Sequence, residues 1–406
     1  LFLFRRIAAR TLPPKAVPLA VALFALSDPL IYFSSELKPY SLDVLIVLWL
    51  LALVLAARHD TSGRRSPLTG LALAGALAVW FSLPAVFVLA GAASTLAVSA
   101  WRRRDRPRLT ALALTGLLWG ASFAVFNAVS LSNIGRSQRV LAFWAQGFPP
   151  LPPRSLDDLY WPARAFGALF GDPGGFVFRG LGIFCFLVGA SVLLESDRAR
   201  LALLLSPLLL TLVASGLRLY PFEGRPILFL APLLLLLVAE GAERIRDAAS
   251  ARAPAAGMIL IALLLFHPVL FAARSLAEPR TREEIKPVLA YVQKRQQPGD
   301  RLYVYAAAAP AFDYYRARYG FAAGGAIVGA WAGEQEGARR DLERLRGGAR
   351  TWVLFTHSER PDGSDDQKRL LPLLDGAGKR VEEFRAPGAA VYLYDMDKRP
   401  KGGARP

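Results

Sequence analysis

Apolar segments separated by short polar ones alternate along the chain between residues 17 and 273. A helix needs roughly 20 mostly apolar residues to cross a bilayer, and several of these segments approach that length. The pattern predicts nine α-helices, with ends defined to within a few residues. They cover residues 17–33, 43–57, 67–81, 84–100, 109–130, 176–194, 201–217, 226–240 and 255–273. Such a set of helices is typical of a polytopic membrane protein.

Composition agrees with this class. Of the 406 residues, 54% are hydrophobic, and the mean hydropathy of +0.33 is too high for a soluble protein of this size. The net charge of +17 would suggest a nucleic-acid partner in a soluble chain. Here the basic residues cluster between apolar segments, so we expect membrane topology to explain them and expect no nucleic acid. The single cysteine, Cys185, lies in an apolar segment and is predicted to be a small buried side chain.

Lys and Arg concentrate in alternate loops, and in membrane proteins such loops face the cytoplasm. The basic loops carry Arg5, Arg6, Arg10 and Lys15; Arg58, Arg64 and Arg65; Arg102, Arg103, Arg104, Arg106 and Arg108; Arg198 and Arg200; and Arg244, Arg246 and Arg252. The other short loops carry only Lys38, Arg218 and Arg225. We therefore expect a multi-pass protein of the cytoplasmic membrane, with the loop around Glu36, the segments 131–175 and 216–225, and everything after about residue 274 outside.

The chain begins Leu-Phe-Leu-Phe-Arg-Arg without a Met, which we interpret as a sequence that continues upstream of Leu1. Toward the other end of the chain, the composition changes after about residue 274. Residues 281–284 match a helix-start box and precede apolar residues at helical spacing. Strands are predicted at 300–306, 350–356 and 389–394, and helices at 310–319 and 365–374. We expect a transmembrane domain over 1–273, an extracytoplasmic α/β domain over 274–397 and a disordered tail over 398–406.

The loop from Tyr32 to Asp43 is the most conspicuous candidate site. It places Glu36 and Lys38 between two strongly apolar segments, and Asp28 precedes it inside the first predicted helix. Ionisable groups at such depth indicate function, because their burial in lipid is costly. The alternative for Asp28 is a side chain that reaches the lipid headgroups.

A second candidate is the segment from Tyr220 to Pro226. Arg225 stands just before a helix start, where free backbone N–H groups and a guanidinium both favour a phosphate. The alternative is an interfacial arginine that caps a loop. A third, less specific candidate is the aromatic segment 131–175, which contains Gln138, Arg139, Trp144, Asp157 and Asp158 and is either a cover over a groove or a plain loop. The three histidines do not have metal-site spacing.

The residues Tyr32 to Leu42 follow the order aromatic-aromatic-Ser-x-Glu-x-Lys-Pro-Tyr-Ser-Leu. This order resembles a loop of bacterial polyprenyl-phosphate-dependent glycosyltransferases of the GT-C fold, similar to protein O-mannosyltransferases of glycosyltransferase family 39. Lys38 stands where Arg is common, which keeps the charge but loses bidentate binding. Residues 220–232 and the C-terminal α/β segment resemble the same family in the same order.

The resemblance implies transfer of a sugar from a polyprenyl-phosphate donor to a glycan, lipid or protein acceptor on the outer face of the membrane, by an inverting reaction. It implies a phosphate clamp of Lys38 and Arg225, with Tyr40, Tyr220 and Asp28 as further binding residues. It places the family's key carboxylate upstream of Leu1 and leaves Glu36 as a candidate within this chain. A divalent cation is left open as a cofactor.

Two other classes compete with this interpretation. One is a non-catalytic membrane protein that binds or translocates lipid-linked sugars, which the absence of an upstream aspartate would favour. The other is a secondary transporter, which predicts internal repeats that the sequence does not show.

Overall fold

The computed structural model describes residues 1–59, 66–131, 144–278, 281–330, 335–345, 347, 350–358 and 365–397. The chain divides into two compact units, Leu1–Ala277 and a second that begins at Glu278. The first unit consists of helices, and the second contains a five-stranded sheet. Each unit has its own hydrophobic core.

The helices of the first unit follow one another with short connections. They are α1 (Phe2–Thr11), α2 (Val17–Leu26), α3 (Asp28–Ser35), α4 (Tyr40–His59), α5 (Ser66–Phe81), α6 (Ala85–Arg102), α7 (Arg106–Phe126), α8 (Leu156–Leu159), α9 (Trp161–Gly171), α10 (Arg179–Ser196), α11 (Arg198–Gly216), α12 (Ala231–Ala249) and α13 (Pro254–Ala277). A π-helical turn, Asn127–Leu131, extends α7, and a 3₁₀ helix, Arg225–Leu230, leads into α12.

Among the described residues, seven helices are long and apolar enough to cross a membrane, or up to eight if the bent pair α2–α3 forms one span. The nine segments predicted from hydropathy are all helical, although α5 is shorter than the other candidate spans. The unit thus has the architecture of a polytopic helical protein.

The first predicted helix, 17–33, is two helices in the structure. α2 and α3 meet at an angle of 48°, and Ser27 between them has an extended backbone. Pro29 explains the break, because it has no N–H to continue the hydrogen-bond ladder of α2 and its ring crowds the preceding turn. As a result Asp28, which was predicted to lie inside a continuous helix, is the first residue of α3.

Described residues of the loops that were predicted to share one side contact one another at one end of the helical unit. Lys15 pairs with Asp247 at 3.4 Å, and Arg58 pairs with Asp197 at 2.6 Å. The Arg200 guanidinium donates to the Thr11 carbonyl at 2.5 Å. These contacts join α1, α4, α11 and α12 at their basic ends.

α12 is the central helix of this unit, and its apolar stretch is entirely buried. Two glycines allow α10 to cross it closely. A Cβ on Gly241 would lie 1.8 Å from the Cys185 carbonyl oxygen, and one on Gly189 would lie 2.0 Å from the Leu237 carbonyl oxygen. Cys185 is buried at this crossing, as predicted.

The second unit has strands β1 (Arg301–Val304), β2 (Ala326–Val328), β3 (Arg350–Thr356), β4 (Lys379–Ala386) and β5 (Ala389–Asp395), in the order β2-β1-β3-β5-β4. β1 is parallel to β2 and β3, whereas β5 is antiparallel to β3 and β4. The helices are α14 (Ile285–Arg295), α15 (Ala309–Tyr315), α16 (Gln335–Leu345) and α17 (Asp366–Ala377). A 3₁₀ turn, Arg316–Tyr319, follows α15.

The helix-start box predicted at 281–284 does not form. α14 begins at Ile285 and has no side-chain cap, and Pro287 lies in its first turn, where the missing N–H costs no helical hydrogen bond. The strands predicted at 350–356 and 389–394 are β3 and β5. β2, β4 and α16 were not predicted. Residues 398–406, for which we predicted a disordered tail, lie outside the described residues.

Candidate functional site

The loop after α11 and the helix start that follows it form a fixed structure. Tyr220 is 8% exposed and donates a hydrogen bond of 2.7 Å to the Pro226 carbonyl. Its ring meets the Phe87 ring edge to face, with centroids 5.2 Å apart. Gly224 has φ +53° and ψ −134°, a conformation that only glycine adopts readily. Together these features set the direction in which Arg225 leaves the backbone.

Arg225 lies against two aromatic rings. Its guanidinium carbon is 5.8 Å from the centre of the Tyr40 ring and 5.2 Å from that of Trp144. Cation–π contacts at such distances restrict a guanidinium to few orientations. Tyr40 and Arg225, which belong to two different candidate segments of the sequence, are therefore neighbours in the fold.

The loop before α4 holds the other predicted clamp residue. The Tyr32 hydroxyl donates to Glu36, and Lys38 Nζ is 3.0 Å from Glu36 Oε2. Phe33 packs edge to face on Tyr40 at 5.3 Å. Lys38 is exposed and its charge is balanced by Glu36, whereas Arg225 is half-buried. The two cations thus stand in different surroundings.

Asp43 lies one helical turn below Tyr40 on α4 and is only 7% exposed. It is within electrostatic reach of the Tyr40 and Tyr220 hydroxyls, and the Ser82 hydroxyl lies beside its carboxylate. No Lys or Arg of the described part of the chain forms an ion pair with it. Asp43 is thus a buried carboxylate whose neighbours include the hydroxyl groups of two tyrosines and a serine.

Three carboxylates form a second cluster next to the same loop. Asp172 Oδ2 is 3.7 Å from the position of a Cβ on Gly224. Asp172 keeps contact with solvent, but surrounding protein raises the pKa of its carboxyl, Asp28 raises it further and Arg179 opposes the rise. Burial raises the pKa of Glu223, and the charge of Asp172 adds to this effect. The Asp172 carboxylate therefore repels both that of Asp28 and that of Glu223.

The close approach between Asp28 and the loop after α9 depends on Gly175. This glycine has φ +79°, and a Cβ there would lie 3.2 Å from Ser27 Oγ and 3.4 Å from Pro29 Cδ. The turn that carries Asp172 therefore packs against the break between α2 and α3. Within the described residues, no three His, Cys, Asp or Glu side chains are arranged to hold a metal ion.

The structure brings together most of the predicted site. Tyr40, Tyr220 and Arg225 are adjacent, and the Glu36–Lys38 pair lies in the loop that leads into Tyr40. Asp28 belongs to the carboxylate cluster instead. Gln138 and Arg139 lie outside the described residues, whereas Trp144 from the same segment reaches Arg225.

Sequence analysis missed Asp172 and Glu223. Glu223 stands two residues before Arg225, so its position in a loop already considered functional could have drawn attention to it. Asp172 lies in a Gly-Asp-Pro-Gly turn with no local sign of chemistry, and only the fold places it near Asp28.

The chain matches no protein-family model and no curated protein sequence.

Proposed function

We propose that this chain is part of a GT-C glycosyltransferase that moves a sugar from a polyprenyl-phosphate donor to a glycan, lipid or protein acceptor. In this proposal the helical unit lies in the cytoplasmic membrane, and the basic ends of its helices face the cytoplasm. Arg225, Tyr40 and the second unit then face outward.

The position of Arg225 is the observation that carries the proposal. A guanidinium that Tyr40 and Trp144 orient at the start of the 3₁₀ helix suits a lipid-linked phosphate because of its positive charge. Arginine binds phosphate through paired N–H donors. The order of motifs in the sequence supports a sugar as the group that the phosphate carries.

The reaction needs two functions from the protein. A cation must stabilise the phosphate as its bond to the anomeric carbon breaks, and a carboxylate must take the proton of the acceptor hydroxyl as its oxygen bonds to that carbon. Arg225 supplies the first, with Lys38 as a more exposed second cation. Glu36 accepts from Tyr32 and pairs with Lys38, so we assign it a positioning role.

The proposal can be tested with the complete protein in lipid nanodiscs. Radiolabelled polyprenyl-phosphate sugars are supplied with glycan, lipid and peptide acceptors, and label transfer is measured for the wild type and for a Lys38→Ala, Arg225→Ala double variant. We expect transfer by the wild type and its loss in the double variant. Full transfer by the double variant would contradict the clamp. Donor binding without transfer to any acceptor would favour a protein that binds or translocates lipid-linked sugars.

A further inference from the structure

The ring that Trp144 places against Arg225 belongs to a short segment, residues 144–148, which we call the Trp144 segment. Its only regular structure is a 3₁₀ turn of three residues, Ala145–Gly147, in which the Gly147 amide donates to the Trp144 carbonyl at 3.0 Å. A single 3₁₀ turn has little stability of its own. The position of Trp144 therefore depends on what the segment contacts.

The Gly147 carbonyl is the main attachment point of the Trp144 segment. It accepts two hydrogen bonds of 2.7 Å, one from the Ser215 hydroxyl at the end of α11 and one from the Phe222 amide. Gly147, Ser215 and Phe222 are all buried. Because a carbonyl oxygen has two lone pairs, these two donors satisfy it completely. They come from either side of residues 216–221, so the segment is fixed to the loop that leads to Arg225.

Two further features hold the Trp144 segment close to this loop. A Cβ on Gly147 would lie 2.9 Å from Pro221 Cβ and 3.2 Å from Glu223 Cβ, so the approach requires glycine. Trp161 of α9 donates from its indole nitrogen to the Gln146 carbonyl at 3.2 Å. The segment thus packs directly on the residues that precede Arg225.

Ser215 uses its hydroxyl in an unusual way for a helical residue. Serine and threonine in helices commonly donate to the carbonyl one turn back, as Thr211 does to Pro207 in the same helix at 2.6 Å. Ser215 is as fully buried as Thr211, but it donates to a residue 68 positions away in the sequence. Its hydroxyl therefore joins two segments rather than serving its own helix.

On the basis of the proposed phosphate site, we infer that Ser215 is a positioning residue for Arg225. Ser215 acts through the Gly147 carbonyl, which fixes Trp144 against the guanidinium. Trp144 and Tyr40 together restrict the guanidinium to the orientations in which it meets the lipid phosphate. This order, present before the phosphate arrives, reduces the entropy that binding costs.

The first measurement tests the placement of Trp144 and needs no ligand. The complete protein is prepared in nanodiscs as wild type, Ser215→Ala and Thr211→Val, each with and without Trp144→Phe. The fluorescence difference within each pair is the emission of Trp144. We expect this emission to move to longer wavelength in Ser215→Ala, because a ring that leaves its contact meets more water. Thr211→Val, which removes an equally buried hydroxyl from the same helix, should leave it unchanged.

The second measurement is the Kd for polyprenyl phosphate. Trp144→Ala should raise it about 3- to 10-fold, since one cation–π contact is lost. Ser215→Ala should raise it at least about 2-fold but no more than Trp144→Ala does, because Ser215 acts only through that ring. On a Trp144→Ala background, Ser215→Ala should therefore change Kd by less than about 1.5-fold. Thr211→Val should bind as the wild type does.

A second variant disrupts the same contact without touching Ser215. Gly147→Ala pushes the Trp144 segment away from Pro221, so it should shift the Trp144 emission and weaken binding as Ser215→Ala does. It also provides the test if Ser215→Ala fails to fold.

Three results would overturn the inference in distinguishable ways. If Ser215→Ala and Gly147→Ala keep the wild-type emission and Kd, the contact does not position Trp144, and the proposed phosphate site stands without it. If Ser215→Ala weakens binding equally with and without Trp144, its role is structural. If the wild type does not bind polyprenyl phosphate although Ser215→Ala shifts the emission, the proposed function is wrong and the role of Ser215 in binding falls with it.

Discussion

The guanidinium carbon of Arg225 lies 5.8 Å from the centre of the Tyr40 ring. The two residues belong to elements far apart in the sequence, the first turn of α4 and the start of the 3₁₀ helix before α12. Trp144 adds a second ring at 5.2 Å. Arg225 is thus held at a helix start by side chains from two other segments, which reduces the entropy that phosphate binding would cost.

Replacement of Arg225 should separate the effects of charge and shape. Charged hydrogen bonds contribute about 1.5–3 kcal/mol, so Arg225→Ala should weaken binding of polyprenyl phosphate by roughly 10- to 100-fold. Arg225→Lys should be intermediate, because lysine keeps the charge but not the paired donors or the stacking. Isothermal titration calorimetry in nanodiscs measures the Kd of both variants for polyprenyl phosphate. Arg218→Ala, an exposed arginine of the same loop, should bind as the wild type does. Equal affinity for Arg225→Ala and the wild type would exclude Arg225 from the phosphate site.

Glu36 should moderate the charge of Lys38. Since Lys38 Nζ lies 3.0 Å from Glu36 Oε2, Glu36→Gln removes the balancing charge and leaves a net positive group in the loop. We expect polyprenyl phosphate to bind more tightly, by a few-fold, with the gain lost at high salt because the exposed Lys38 is screened. The Glu36→Gln, Lys38→Ala double variant should lose the gain. Unchanged binding in Glu36→Gln would show that the pair lies away from the phosphate.

The local sequence indicated the residues around Arg225 but gave no sign of Asp172. Tyr40, Tyr220 and Arg225 stand in short polar interruptions of apolar segments, and an interruption is visible without any fold. Their contacts follow from the topology, since adjacent ends of helices at one side of a bundle must meet. Asp172 carries no such signal, because its turn resembles any loop, and the contact to Asp28 requires the break at Ser27 and the close approach of Gly175.

The elements of the second unit differ in the same way, because some have a clear local sequence pattern and others do not. β3 and β5 are buried and apolar, so hydropathy alone predicts them. β4 reads Lys-Arg-Val-Glu-Glu-Phe-Arg-Ala and lies at the edge of the sheet, where charged side chains discourage pairing with other chains. α16 is rich in charged residues, and β2 has three residues. Such elements depend on tertiary contacts that no local pattern records.

Asp172 should make stability depend on pH. Its pKa is raised above the ordinary 3.8 by surrounding protein and by Asp28. A carboxyl with a raised folded pKa costs stability in full above that pKa, and the cost fades as the pH falls toward the unfolded value. Asp172→Asn should therefore raise the melting temperature near about pH 7 and have little effect near about pH 4. Scanning fluorimetry of the detergent-solubilised protein measures the difference.

A matched carboxylate provides the control for Asp172. Asp157 has a side chain that is 85% exposed, and Asp157→Asn should leave the melting temperature unchanged at both pH values. If Asp172→Asn changed the melting temperature equally at both pH values, its effect would come from packing rather than from ionisation. A lower melting temperature at neutral pH would show that the Asp172 charge is favourable, in contradiction to its repulsion by Asp28.

The crossing of α10 and α12 should tolerate no side chain at Gly241. A Cβ there would lie 1.8 Å from the Cys185 carbonyl oxygen and 2.7 Å from the Gly189 amide nitrogen, and these backbone atoms cannot move aside as a side chain could. Overpacking of this kind costs about 1–3 kcal/mol or more, so Gly241→Ala should lower the melting temperature by several degrees. Gly120→Ala in α7, where a Cβ meets nothing within 4 Å, should not lower it, since alanine favours a helix more than glycine does. Because α12 follows directly from the 3₁₀ helix that carries Arg225, the Gly241 variant should also bind less polyprenyl phosphate in proportion to the fraction that unfolds. Wild-type stability for Gly241→Ala would mean that α10 and α12 do not cross at this residue.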